Sequence, residues 1–89
     1  MKQFIVILDN IDQENTNKII EQIKSYRVWA RISDTVWCIR TDSNTTTLRD
    51  AIYPKGNLSC KVLVVDISSS HWASYNLSNE VVDWLKKDL

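Results

Sequence analysis

The sequence is poor in the residues that punctuate or decorate a chain. Its 89 residues include one glycine, one proline, one histidine and two cysteines, and eleven basic residues are matched by eleven acidic ones. The two cysteines, Cys38 and Cys60, stand far apart and form no Cys-x-x-Cys pair. With a single histidine they make no common zinc pattern, and they read as small apolar fillers in a reducing cytosol. A net charge of zero weighs against a dedicated nucleic-acid binder, which usually carries a basic excess on one face. It also gives little colloidal repulsion, so self-association is easy. The opening apolar run, Phe4 to Leu8, ends at Asp9 and is too short to span a membrane. It carries no cleavage region of a signal peptide. These features predict a cytoplasmic protein with no membrane partner. No Gly-x-Ser-x-Gly elbow accompanies His71 and the serines around it, so that histidine reads as a loop residue rather than part of a hydrolase site.

What is present is ordinary globular composition, 44% apolar and 25% charged. There is no internal repeat, low-complexity tract or interdomain linker, and residues 1–89 read as one domain. A chain this short buries only about two-thirds of its unfolded surface, so further burial by dimerisation helps it noticeably.

Along the chain, Phe4-Ile5-Val6-Ile7-Leu8 is apolar on both parities and predicts a central strand covered on both faces. Asp12 is the expected N-cap of a following helix, with Glu14 in its first turn. Ile19, Ile20 and Ile23 form the apolar stripe of that helix, extended by Tyr26. Arg27 to Ile32 and Thr35 to Thr41 are strand-like runs around Ser33-Asp34, which predicts a hairpin whose turn lacks glycine. Asp42-Ser43-Asn44-Thr45 opens a short helix with Leu48, Ala51 and Ile52 on its apolar face, closed by Tyr53-Pro54 and Gly56-Asn57. Val62-Leu63-Val64-Val65 is a second doubly apolar strand, broken by Ser68-Ser69-Ser70. Ser78 caps a final helix carrying Val81, Val82, Trp84, Leu85 and Leu89, with Leu77 and Val82 as a hydrophobic staple and Asp83 and Lys87 as an i,i+4 pair.

The predicted order, β-α-β-β-α-β-α, gives an α/β (α+β) fold. It is a ferredoxin-like βαββαβ unit with an antiparallel sheet in the order 4-1-3-2 and an additional C-terminal helix. The fourth strand would lie at an edge, where a bare apolar run is an aggregation hazard. Either the segment after Ser70 covers it, or a second copy pairs there. A homodimer through Val62, Val64 and Trp72 is therefore expected.

Several short motifs carry a family resemblance. They are Leu8-Asp9 closing the first strand, Ser33-Asp34-Thr35-Val36-Trp37 at the hairpin and Thr47-Leu48-Arg49-Asp50. Val64-Val65-Asp66-Ile67 with Trp72 beyond, and Asp83-Trp84-Leu85-Lys86, complete the set. Over nearly its whole length the chain resembles small bacterial proteins labelled SinR-like, although it contains no helix-turn-helix motif. Those proteins are in turn similar to the small CRISPR adaptation protein that partners the integrase and to ferredoxin-like toxin ribonucleases. The resemblance implies a dimer and a link to bacterial defence or mobile elements. It also implies a nuclease site at the first-strand Asp, here Asp9. Where the CRISPR proteins commonly carry an Arg-rich segment, this chain has the acidic stretch Asn10-Ile11-Asp12-Gln13-Glu14.

Two constellations could carry chemistry. Asp9, Asp12 and Asp34 are expected at one end of the sheet, where three carboxylates could hold Mg²⁺ for phosphodiester attack, with Asp9 catalytic. The structural alternative is that Asp9 and Asp12 cap a helix and Asp34 makes a turn. Arg27, Trp29, Arg31 and Arg40, with Trp37, form the best candidate surface for a nucleic acid or protein partner, since aromatics can stack on bases and anchor interfaces. The alternative is core and edge aromatics with solubilising arginines. Three functions are expected in order. The first is a non-catalytic dimeric binding or accessory protein needing no cofactor. The second is a metal-dependent nuclease using Asp9. The third is a phage or mobile-element inhibitor acting by protein contact.

Overall fold

The computed structural model describes residues 1–9, 12–53, 60–69 and 71–86. They form a small α+β domain, with strands β1 (Lys2–Asp9), β2 (Val28–Arg31), β3 (Val36–Thr41) and β4 (Lys61–Asp66) and helices α1 (Gln13–Lys24), α2 (Thr45–Ile52) and α3 (Asn79–Lys86). The four strands make one antiparallel sheet in the order β2-β3-β1-β4. The Pro54–Gly56 loop, Leu58, Lys87 and Leu89 lie outside the described residues.

Local chemistry starts each helix where the sequence says it should. The Asp12 carboxylate accepts from the Asn15 amide at 2.8 Å, and the Asn44 side chain accepts from the Thr47 amide at 2.8 Å. The Ser78 hydroxyl accepts from the Val81 amide at 3.2 Å. Each satisfies a donor that the first helical turn leaves without an intrahelical partner. The glycine-free hairpin closes without a left-handed residue. Ile32 and Ser33 both donate to the Val36 carbonyl, at 2.9 and 3.1 Å, and the positive-φ residues among those described are Ser69 and Asn76 instead.

Strand periodicity then sorts side chains to two faces. On one face Val6 and Leu8 of β1 and Trp37 and Ile39 of β3 meet Ile19 and Ile23 of α1 and Ile52 of α2. On the other, Cys38 of β3 and Ala30 of β2 pack with Leu85 of α3, joined by Ile5, Ile32, Ile67, Leu77, Val81 and Trp84. The two layers are unequal. Helices α1 and α2 seal their face, whereas the eight-residue α3 lies toward β2 and leaves the β4 side bare. The central strand is therefore covered fully on one face only, and Ile7 stays exposed.

The bend after β4 holds one perturbed carboxyl. Asp66 accepts from the Ser68 amide at 2.9 Å. Hydrogen bonds from the Ser68 side chain and backbone hold its carboxyl below the usual range, helped by the charge of Lys2. A lowered folded-state pKa contributes stability above the unfolded-state pKa and loses it as pH falls through the folded value. Ser68→Ala should raise the Asp66 midpoint toward that of an ordinary aspartate, read by carboxyl NMR titration. An unmoved midpoint would show that the hydroxyl bond has no such effect.

Candidate functional site

The carboxylate end of the sheet is built by the exit of β1 and the β2–β3 turn. Asp9 and Asp34 line one cleft of about 240 Å³ with Leu8, Thr16, Ile20, Thr35 and Trp37. Asp12 plays a different part. Its two carboxylate oxygens accept from the amide and the side-chain Nδ2 of Asn15, at 2.8 and 3.0 Å, and so it caps α1. Asp34 is drawn to Arg31, 3.3 Å away on the exposed turn. Among the described residues, no three metal-ligating side chains gather anywhere. The expected set of Asp9, Asp12 and Asp34 thus reduces to two residues on one cleft and one helix cap, which does not fit a three-carboxylate Mg²⁺ site within one copy.

Both thiols are poor nucleophiles. Burial pushes Cys38 up to about 11, against the opposing charge of Arg40. Cys60 is raised by burial and by the negative charges of Asp12 and Asp9. Each is a protonated thiol at neutral pH. His71 is exposed on the segment between β4 and α3.

The basic-aromatic surface divides between the two faces. Trp29 and Arg31 of β2 lie on the α1 face, with exposed Arg27 in the bend before the strand. Trp29 is half-buried and packs against Trp37, with ring centres 5.8 Å apart and planes at 52°. The Lys24 ammonium stands 5.2 Å over the Trp29 ring, and the Arg31 guanidinium 5.0 Å over that of Trp37. The chain's own cations thus occupy positions where a stacked base would lie. Arg40 is not part of this surface. It sits on the opposite face, is only 6% exposed and binds within the domain. The sequence grouping of Arg40 with Arg27 and Arg31 is corrected accordingly, because its parity places it beneath α3.

The β4 edge is the most unusual surface. Leu63, Val65 and Ile7 are 56%, 39% and 38% exposed and lie on one face, since Ile7 pairs with Leu63 and Ile5 with Val65 in the register. Val62 and Val64 turn the other way and pack half-buried against the main core. Of the residues expected at an interface, Val62 and Val64 thus point their side chains toward the core, and the exposed apolar side chains here are Leu63, Val65 and Ile7. Sequence reading missed this division because a run apolar at every position carries no period-2 signal. Trp72 is exposed beyond the strand. The segment that follows leads to α3 on the far side of the sheet and does not pair with β4 among the described residues.

No family model and no curated protein matches the chain. Among the described residues no helix is long and apolar enough to cross a membrane.

Proposed function

We propose that this chain is a cytoplasmic, non-catalytic binding or accessory protein of ferredoxin-like fold that works as a homodimer through its β4 side. Read from β4, the sheet order is 4-1-3-2, which supports the fold name. The observation that carries the function is the exposed strip of Ile7, Leu63 and Val65 beside an apolar edge strand. An edge with no charge between its two end residues, Lys61 and Asp66, is a template for pairing, and small domains gain most from added burial. The link to bacterial defence or mobile elements rests on the family resemblance alone.

A nuclease at Asp9 is the second reading, favoured by the shared cleft of Asp9 and Asp34. One set of preparations separates the two. Light scattering of wild type should give a dimer. Leu63→Lys should weaken it by about 100-fold, because each copy would press a lysine charge against the other's apolar strip, out of water. The wild type should show no cleavage of RNA or DNA with Mg²⁺ or Mn²⁺ above a mock preparation. A strict monomer at high concentration would refute the dimer. Cleavage that vanishes in Asp9→Asn would put the nuclease first.

A further inference from the structure

We infer that the partner on β4 is a second copy of this chain, seated by antiparallel backbone pairing with Val64 on the two-fold axis, so that two sheets join into one. The inference rests on the homodimer reading above and specifies its geometry.

The phase of the hydrogen bonds fixes which groups are available. The Leu8 amide donates to the Thr35 carbonyl at 2.8 Å, so even-numbered residues of β1 bond to β3. The Ile67 amide donates to the Gln3 carbonyl at 2.8 Å, so odd-numbered residues of β1 bond to β4. An antiparallel ladder alternates strictly. Lys61, Leu63 and Val65 therefore turn their backbone groups toward β1, and Val62, Val64 and Asp66 turn theirs to the open side. Among the described residues, β4 pairs with β1 alone.

Symmetry then selects the register. A two-fold axis normal to the sheet produces an antiparallel pair and keeps both helical layers on the same side. Directly opposed residues must share a face, so partners have equal parity. Only one such register uses all three outward residues: Val64 opposite Val64 of the second copy, and Val62 opposite its Asp66. It forms about six backbone bonds, two at each closely spaced pair. A slip of two residues leaves part of the edge unpaired.

Side chains and charge agree with that register. Leu63 falls opposite Val65 of the second copy in the non-hydrogen-bonded position, where Cβ atoms approach to about 4.5–5.5 Å. With Ile7 beside Leu63, the exposed strips of the two copies become one continuous apolar face. The strand has Lys61 at one end and Asp66 at the other, so antiparallel pairing sets ends of unlike charge beside each other, with the two side chains on opposite faces of the sheet, whereas parallel pairing sets like ends together. The other edge is guarded. Strand β2 has four residues and is flanked or ended by exposed Arg27 and Arg31.

Val64→Pro tests the pairing. It removes an N–H that points away from β1, the position at which an edge strand tolerates proline. Light scattering should give a dimer for wild type and a monomer for Val64→Pro, with unchanged far-ultraviolet circular dichroism. A variant that remains as dimeric as wild type would overturn edge pairing but leave a face-to-face homodimer standing. A monomeric wild type would overturn both. Amide exchange of the wild type covers the case in which the variant fails to fold. Val62, Val64 and Asp66 should all exchange at least about 10-fold more slowly at concentrations where the dimer forms than after dilution to monomer. Equal rates, or protection of only part of the set, would overturn this register.

Discussion

Arg40→Ala is expected to destabilise the domain by about 2–4 kcal/mol and to release α3 from the sheet. The side chain is almost fully buried. Its Nε donates to Gln3 Oε1 at 2.9 Å, and a terminal nitrogen donates to the Trp84 carbonyl at 2.6 Å. The guanidinium also lies 3.9 Å from the centre of the Trp84 ring. One residue of β3 thus holds β1 and the last turn of α3 together. The Trp84 carbonyl belongs to the negative end of that helix, where a cation is favoured. Bonds to a charged donor contribute about 1.5–3 kcal/mol, and a desolvated cation–π contact about 2. These terms are not additive, and the lost cost of burying the charge offsets part of them.

Alanine would also leave Gln3 Oε1 without this donor, while Gln3 Nε2 already lacks a partner among the described residues. Lysine should not rescue the loss, because a point charge cannot make the planar, forked contact. Urea denaturation gives the stability, and exchange of the α3 amides reports undocking. Destabilisation below about 0.5 kcal/mol, with α3 protection unchanged, would show that the apolar contacts of Leu85 and Val81 alone hold the helix.

This arginine marks the boundary of what the sequence conveyed. Elements with a clear local signal were legible: Asp12 and Ser78 as caps, the helix-starting cluster Asp42-Ser43-Asn44-Thr45 from which Asn44 proves to be the cap, the isoleucine stripe of α1, and the hairpin runs around Ser33-Asp34. Each depends on interactions within a few residues. Arg40 was read as part of a surface because it is interleaved with Trp37 along the hairpin, as Arg27 and Arg31 are with Trp29, and most arginines are exposed. Its burial depends on α3, 44 positions away along the chain at Trp84. The carboxylate end was half legible. Asp9 and Asp34 do share a cleft, but the capping geometry of Asp12 claims the third member. For β4 the sequence showed that an edge needed covering. It could not show which valines faced the core, because α2 covers one side while α3 leaves the other bare.

Trp37→Ala should have the largest effect of any single change considered, a loss of about 3–5 kcal/mol. The indole is 2% exposed and belongs to the core cluster with Val6, Leu8, Ile19 and Ile23. It pairs with Val6 on β1 and Arg31 on β2 in the ladder, so it stands at the centre of the helix-covered face. Truncation would remove the ring's transfer energy and open a cavity continuous with the Asp9 cleft, whose wall it already forms. Trp29 would lose its tilted ring partner and Arg31 its cation–π contact. A total stability of about 5–15 kcal/mol is usual for a small domain, so this loss alone could unfold a large fraction of the protein. In urea, the midpoint should fall with the m-value unchanged. Trp29→Ala, at a half-buried neighbour, should cost clearly less. Chains of Trp37→Ala that remain folded should still dimerise at high concentration, because β4 lies on the far side of β1 from β3. A loss below about 1.5 kcal/mol for Trp37 would mean that the surrounding isoleucines and leucines collapse into the space, and that the cleft and core are looser than their packing indicates.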